Sequence, residues 1–181
     1  ESLDEISLHL DTQLSRPLLS VMFAQEGSKT SDLLRETAYT QSALFAFEVS
    51  LARLWNSWGV EPEFLMGHSI GELSAACVAG VLTIQDAALL VGARGRLMQG
   101  CREDGAMVSL QVGEREARKA IDDLELSLDI AGVNTRSQTV LSGDISEIKR
   151  VAQYFQGEGY KVRELDVSHA FHSSHMDAML E

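Results

Sequence analysis

The chain has 181 residues, of which 45% are hydrophobic, and its formal net charge at pH 7 is −12. These values indicate a soluble globular domain, or one domain with a small subdomain. The acidic balance, without a stripe of lysine and arginine, argues against nucleic acid as a partner. No apolar run approaches the roughly 20 residues that span a bilayer, so we expect no membrane association.

The two chain ends and the cysteines indicate a piece of an intracellular protein. The sequence begins at Glu1 without a basic or apolar leader and stops at Glu181 inside an apparent helix. We therefore expect an excerpt of a longer chain that is not secreted. Cys77 and Cys101 lie in helical patterns without metal-ligand spacing, which favours reduced thiols and a cytoplasmic location.

The first sixty residues predict helices. A mixed apolar and acidic pattern over 3–11 and a capped segment over 31–36 predict two short helices. The clearest helix runs over 40–58, with apolar residues at intervals of three and four, and Gly59 ends it.

Two polar residues, Thr40 and Gln41, stand at the start of this otherwise apolar helix. One interpretation is an N-cap residue with a solvated neighbour. The other is that a polar side chain is directed into a functional site.

A Gly-x-Ser-x-Gly pattern follows at Gly67, Ser69 and Gly71, between an apolar run predicted as a strand over 63–66 and a predicted helix over 70–79. This strand, turn and helix order is the context in which such a serine acts as a nucleophile. We expect the glycines to permit a sharp turn that exposes the hydroxyl. The N–H groups at the start of the helix could then stabilise an oxyanion.

The next predicted helix begins near Thr83 and Asp86, which resemble a capping box, and runs to about residue 99. It carries Arg94 and Arg96 on a largely apolar background. Both arginines could extend to solvent. Alternatively, one points inward to a carboxylate, which a guanidinium binds through two parallel hydrogen bonds. The sequence alone does not choose between them.

From residue 105 onward the pattern becomes β-α-β-β-α-β, which is the ferredoxin-like order. The predicted strands and helices cover, in chain order, 106–112, 113–123, 127–133, 138–142, 146–156 and 160–165. We therefore predict a small α+β subdomain over 105–165. It would be inserted into a larger subdomain formed by 1–104 and 166–181.

Three histidines, His169, His172 and His175, follow the last predicted strand. Ser69 needs a base, and nucleophile and base commonly come from parts distant in sequence. His68 adjoins Ser69, but consecutive side chains at a sharp turn usually diverge, so we expect it to have a structural or supporting role. The spacing of three also raises metal binding. No cysteine or carboxylate ligand set accompanies the histidines, so we predict no metal.

These motifs together resemble the acyltransferase domains of modular polyketide synthases and the related malonyl-CoA:acyl carrier protein transacylases. The matching stretches run in the family's order: Thr40-Gln-Ser-Ala43, Gly67-His-Ser-Ile-Gly-Glu72, Arg94-Gly-Arg-Leu-Met98, Val133-Asn134 with Ser142-Gly-Asp144, and His169-Ala-Phe-His172. The resemblance implies an α/β fold. Its large subdomain would be α/β-hydrolase-like, with a parallel sheet and a serine nucleophile elbow, and the ferredoxin-like subdomain would be inserted in it.

The resemblance also implies roles for single residues. Ser69 would accept the acyl group, His172 would be its base, and the N–H of Ile70 would donate to the oxyanion. The implied substrate-binding residues are Gln41, His68, Arg94, His169 and Phe171. Among these, Arg94 would hold the carboxylate of a malonyl unit. Family members with His-Ala-Phe-His generally take malonyl rather than methylmalonyl, and Phe171 would fill the space that an α-methyl group needs.

The implied function is transfer of a malonyl extender unit in polyketide biosynthesis. The unit would pass from malonyl-CoA through an O-acyl-serine to the phosphopantetheine thiol of an acyl carrier protein. No bound cofactor is implied, and neighbouring synthase domains such as a ketosynthase are expected partners. The alternatives are a stand-alone transacylase of fatty acid synthesis, a serine hydrolase or lipase of α/β type, and a docking module without activity.

The family also has an oxyanion glutamine before the position of Glu1 and a sheet segment after that of Glu181. We therefore expect the isolated chain to be poorly stable and weakly active.

Overall fold

A computed structural model of the chain describes residues 1–180. The chain divides into two compact units, Glu1–Gln99 and Gly100–Glu181. Each unit has a hydrophobic core of its own. Within residues 1–180, no helix combines the length and apolar character needed to cross a membrane.

The first unit consists of helices joined by turns. Its α-helices are α1 Ser2–Leu10, α2 Leu18–Met22, α3 Lys29–Asp32, α4 Thr37–Ser57, α5 Ile70–Val78 and α6 Ile84–Gln99. Two short 3-10 helices, Asp11–Gln13 and Leu33–Arg35, lie between them. The predicted long helices are confirmed. Helix α4 begins at Thr37 rather than at Thr40, so Thr40 lies inside the helix and is not its N-cap.

The core of the first unit lies where α1, α4 and α6 pack together. Leu10 of α1, Phe45 of α4 and Val91 of α6 are fully buried there. Full burial of such a side chain contributes about 1.5–3 kcal/mol. This packing fixes α6 against α4, which matters below because each helix carries one predicted site residue.

The strand predicted over 63–66 is not formed. Residues 64–66 have no regular secondary structure, and Phe64 and Met66 are 88% and 95% exposed. A strand needs a neighbouring strand to pair its backbone N–H and C=O groups. Residues 1–99 supply none, so the parallel sheet predicted for the large subdomain has no strand in the described part of this unit.

The second unit has the predicted β-α-β-β-α-β order. Its elements are β1 Gly105–Leu110, α7 Glu114–Asp123, β2 Asp129–Thr135, β3 Gln138–Asp144, α8 Ile145–Gly157 and β4 Val162–Glu164. The four strands form one sheet in the order β2-β3-β1-β4, and every pairing is antiparallel. The ferredoxin-like arrangement is therefore confirmed, with each end within two residues of its prediction.

Apolar residues of β1 and β3 that pack against a helix account for this sheet. Val108 and Leu110 of β1 are fully buried, as is Leu141 of β3, which pairs with Val108. These side chains belong to the same core as Ile148 and Val151 of α8. One face of the sheet thus carries the apolar residues that the helices cover, as the period of two predicts.

The segment after β4 packs on the second unit and includes the 3-10 helix Ser174–Met179. The Ser174 N–H donates to Asp129 at 2.9 Å. A Cβ on Gly105 would come within 2.5 Å of the Ala170 Cβ, so the glycine permits this close approach. The sequence instead predicts that residues 166–181 belong to the large subdomain. That assignment stays a prediction.

Candidate active site

Ser69 stands in a strained turn immediately before α5. Its φ is 57° and its ψ is −116°. A non-glycine residue in such a conformation costs about 1–3 kcal/mol and persists only where its surroundings enforce it. Gly67 is part of the cause, because a Cβ there would lie 2.0 Å from the carbonyl carbon of Gly71.

The two glycines of the motif therefore have different roles. A Cβ on Gly71 would have only one neighbour within 4 Å, Glu48 Oε2 at 4.0 Å. The sequence attributed the sharp turn to both glycines. In the structure, steric crowding requires a glycine only at position 67.

The N-terminus of α5 offers one backbone donor beside the serine. The Gly71 N–H donates to the His68 carbonyl and the Glu72 N–H donates to the Ser69 carbonyl, each at 3.1 Å. The N–H of Ile70, the first helical residue, makes no hydrogen bond within residues 1–180. This N–H can therefore donate a hydrogen bond to an oxyanion that develops at the start of the helix.

Arg94 reaches the serine turn from α6. Its Nη2 donates to Ser69 Oγ at 2.9 Å, and its Nη1 donates to Gln41 Oε1. Gly95 allows this approach, because a Cβ there would lie 2.9 Å from the Ala38 Cα on α4. Helices α4 and α6 and the turn before α5 thus bring Gln41, Arg94 and Ser69 together.

This geometry separates the two candidate arginines. Arg96 is exposed and donates to the Gln13 side chain at 3.2 Å, so it does not contact the serine turn. Gln41 is only 8% exposed, which supports the interpretation that it is directed into a site.

The electrostatic environment of Arg94 is unusual for a cation. Burial lowers the pKa of its guanidinium, because desolvation disfavours the charged form. Arginine nevertheless remains charged in proteins. None of the ion pairs within residues 1–180 includes Arg94. Its hydrogen-bond partners, Gln41 and Ser69, are neutral oxygen acceptors.

The His169-Ala-Phe-His172 motif forms a tight turn in the second unit. His169 is 2% exposed, its Nδ1 lies 2.8 Å from Ser168 Oγ, and its ring packs beside that of Phe171 with centroids 5.8 Å apart. His172 is exposed and has a φ of 58°. Within one turn, His169 is thus buried and His172 is exposed at the surface of its unit.

The two remaining histidines differ in environment. His68 is exposed at the serine turn. His175 is 6% exposed, with Nε2 3.7 Å from Asp144 Oδ1 and Nδ1 3.9 Å from Asp104 Oδ1. Among the described residues, no group of three potential ligands is placed to hold a metal ion.

Sequence reasoning missed two residues that position the serine turn. Gly95 was not singled out, although a glycine inside a helical pattern often marks close packing. Glu48 was also missed, although a carboxylate within an apolar helical stripe is a comparable signal. Its Oε2 accepts a hydrogen bond from Ser74 Oγ at 2.5 Å, which ties α5 to α4 just beyond the turn.

Comparisons with known proteins agree on one family. Residues 2–181 match the family model described as the acyl transferase domain. Polyketide synthase GfsA of Streptomyces halstedii is 51% identical over 182 residues, which covers 100% of this chain and 2% of that protein. Spectinabilin polyketide synthase system protein NorB of Streptomyces orinoci is 45% identical over 181 residues, covering 100% of this chain and 8% of that protein. The chain therefore spans a small part of these relatives.

A solved structure gives the same result. The acyltransferase domain from the second module of the salinomycin polyketide synthase matches with a TM-score of 0.86 at 43% identity, covering 99% of this chain and 40% of that one. This likeness confirms the predicted α/β fold class, although residues 1–99 carry no strand. The family match, the relatives and the strained serine beside an arginine point to one assignment, and the chain belongs to the acyl transferase domain family.

Proposed function

We propose that this chain carries the acyl-binding serine of an acyltransferase that moves malonyl units from malonyl-CoA to an acyl carrier protein in polyketide biosynthesis. The observation that carries the proposal is the convergence of Arg94 and Gln41 on Ser69. A half-buried cation beside a nucleophile suits an acyl group that ends in a carboxylate. The relatives reported above are polyketide synthases, which favours this role over a stand-alone transacylase of fatty acid synthesis.

The first half-reaction acylates the serine. Ser69 Oγ forms a bond to the thioester carbonyl carbon as His172 takes the hydroxyl proton. The oxyanion accepts a hydrogen bond from the Ile70 N–H, and loss of one such donor typically costs about 10²–10³ in rate. The C–S bond then breaks, and the proton passes from His172 to the sulfur of coenzyme A. The role of His172 is supported by its position in the family motif.

The binding of the carboxylate is the task of Arg94. A guanidinium binds a carboxylate through two parallel charge-assisted hydrogen bonds, which are about twice as strong as neutral ones. Because Arg94 has no ion-pair partner within residues 1–180, a malonyl carboxylate would supply the missing negative charge. Gln41 accepts from Nη1 and so orients the guanidinium plane.

The second half-reaction reverses the first. The phosphopantetheine thiol of the carrier protein attacks the serine ester, its proton passes through His172 to Ser69 Oγ, and the hydroxyl is restored. Side chains and one backbone N–H perform every step, so we propose no bound cofactor. We expect neighbouring synthase domains as partners, because the relatives are long multidomain synthases. A cytoplasmic location remains part of the proposal.

The choice of acyl group is assigned to the His169-Ala-Phe-His172 turn. Phe171 is half-buried beside the His169 ring. We propose that this phenyl ring occupies the space that an α-methyl group would need, which favours malonyl over methylmalonyl. His68, exposed next to Ser69, would line the entrance for the substrate.

Labelling with radioactive malonyl-CoA tests the function in a full-length acyltransferase domain that contains this chain. We expect covalent label on Ser69, chased onto added carrier protein, with no label in Ser69→Ala. Ser137→Ala, an exposed serine in the turn between β2 and β3, is the matched control and should label normally. Label retained by Ser69→Ala would refute the assignment. Label lost to water faster than to carrier protein would identify a hydrolase instead.

A further inference from the structure

The hydrogen bond between Arg94 and Ser69 has a consequence for the nucleophile itself. Nη2 donates to Ser69 Oγ at 2.9 Å, so a cationic donor occupies an electron pair of the atom that must attack the substrate. A hydrogen bond to a charged group contributes more stability than a neutral one. The contact therefore stabilises the resting serine as well as placing the arginine.

We propose that Arg94 restrains Ser69 in the empty site, and that the carboxylate of the incoming acyl group releases the serine by drawing the guanidinium away. This inference rests on the proposed function for its substrate. Arg94 would then have a second role beyond binding. It would discriminate between acyl groups through the rate of serine acylation as well as through their binding affinity.

The direction of the effect follows from what happens at Oγ during attack. Its electron density moves toward the carbonyl carbon, and its proton leaves to the base. A guanidinium hydrogen-bonded to that oxygen loses its acceptor in this process, so the contact is stronger in the resting state than in the transition state. Interactions of that kind raise the barrier.

A carboxylate on the substrate removes this increase in the barrier to attack, and a neutral acyl group does not. Gln41 supports the exchange, because its Oε1 holds Nη1 while Nη2 contacts the serine. The guanidinium can thus keep one partner and turn its remaining N–H groups toward a carboxylate. An acetyl group offers no comparable acceptor, so the serine would stay restrained.

The test uses an uncharged fluorophosphonate on a full-length acyltransferase domain that contains this chain. The probe forms a bond between Ser69 Oγ and phosphorus, fluoride leaves, and the hydroxyl proton passes to the base. In Arg94→Met we expect the maximal rate of labelling to rise about tenfold, which corresponds to about 1.4 kcal/mol. Arg94→Gln, which keeps a donor for Gln41 Oε1, is the second variant in case the methionine impairs folding. Arg96→Met is the matched control and should label at the wild-type rate.

A second arm measures single-turnover acylation by saturating acetyl-CoA and malonyl-CoA. We expect Arg94→Gln to acylate faster than wild type with acetyl-CoA and slower with malonyl-CoA. Acetyl acylation that is unchanged while malonyl acylation falls would show a binding clamp alone and overturn the inference. Fluorophosphonate labelling that is unchanged or slower in both Arg94 variants would overturn it as well. If wild type is not acylated by malonyl-CoA, the proposed function fails, but the fluorophosphonate arm still decides the inference.

Discussion

Replacing Gly67 by alanine should destabilise the domain, whereas replacing Gly71 by alanine should be neutral or stabilising. In Gly67→Ala, the new Cβ would stand 2.0 Å from the carbonyl carbon and oxygen of Gly71 and 2.1 Å from the Glu72 nitrogen. Optimal separations between non-bonded carbon atoms are about 3.5–4.0 Å. Every crowded atom belongs to the backbone of the first turn of α5, so no side chain can move aside.

The expected magnitudes follow from this contrast. Overpacking typically costs about 1–3 kcal/mol, and we expect Gly67→Ala near the upper end, at about 3 kcal/mol. For a domain of 150–250 residues this would lower the melting temperature by about 6–12 °C, and the fall should be smaller in the longer full-length domain, of whose solved relative this chain covers 40%. Gly71 lies in α5, and a Cβ there meets nothing closer than 4.0 Å. Alanine is favoured over glycine inside helices by about 0.8–1.0 kcal/mol, so Gly71→Ala should be neutral or stabilising.

The assay is thermal and urea unfolding of both variants in a full-length acyltransferase domain, together with fluorophosphonate labelling of Ser69. Gly67→Ala should also label slowly, because relief of the clash must change the backbone that presents the hydroxyl. Equal destabilisation by the two substitutions would refute the steric reasoning. So would a Gly67→Ala protein with wild-type stability and labelling.

Two further substitutions test the packing and the selectivity turn. Gly95→Ala would place a Cβ 2.9 Å from the Ala38 backbone, whereas Gly157→Ala at the end of α8 meets nothing within 4 Å. We expect the first to cost about 1–3 kcal/mol in urea unfolding and to slow malonyl transfer, and the second to be neutral; equal stabilities would contradict the close packing of α6 on α4. Phe171→Ser should raise the kcat/KM ratio of methylmalonyl-CoA to malonyl-CoA by about tenfold, within the 1–3 kcal/mol that a methylene-sized difference provides. An unchanged ratio would remove Phe171 from the selectivity role.

The second unit could be predicted almost completely from the sequence, because its structure is set by local patterns. Strands β1 and β3 pair with each other inside the same sixty residues, so each predicted strand and its partner are both present. The segment 63–66 shows why the first unit was harder. Its apolar run resembles that of a buried strand, but pairing depends on a neighbour that residues 1–99 do not contain. Periodicity reports the character of a segment, not the presence of its partner.

The sequence named the candidate site residues but not the contacts between them. Arg94 and Arg96 are two positions apart on a helix, so they point about 200° apart around its axis. The choice between them depends on which side of α6 packs on α4, and Gly95 settles this by lying against Ala38. The hydrogen bond from Arg94 to Ser69 could not be predicted, since it requires α4, α6 and the serine turn to be placed together.

Backbone strain gives an independent argument for the proposed nucleophile and base. Among the described residues, three non-glycine positions have a positive φ: Ser69, Glu125 and His172. Glu125 follows the C-terminus of α7, where its N–H donates to Asp122 and the next N–H to Ile121, so it is explained as a helix end. Ser69 precedes the N-terminus of α5 and His172 lies in a turn, so neither is at the C-terminal end of an α-helix, where a positive φ is common. Backbone strain at such positions is typical of functional sites. The same two residues are the ones to which the family resemblance gives the roles of nucleophile and base, so the backbone geometry favours the proposed roles.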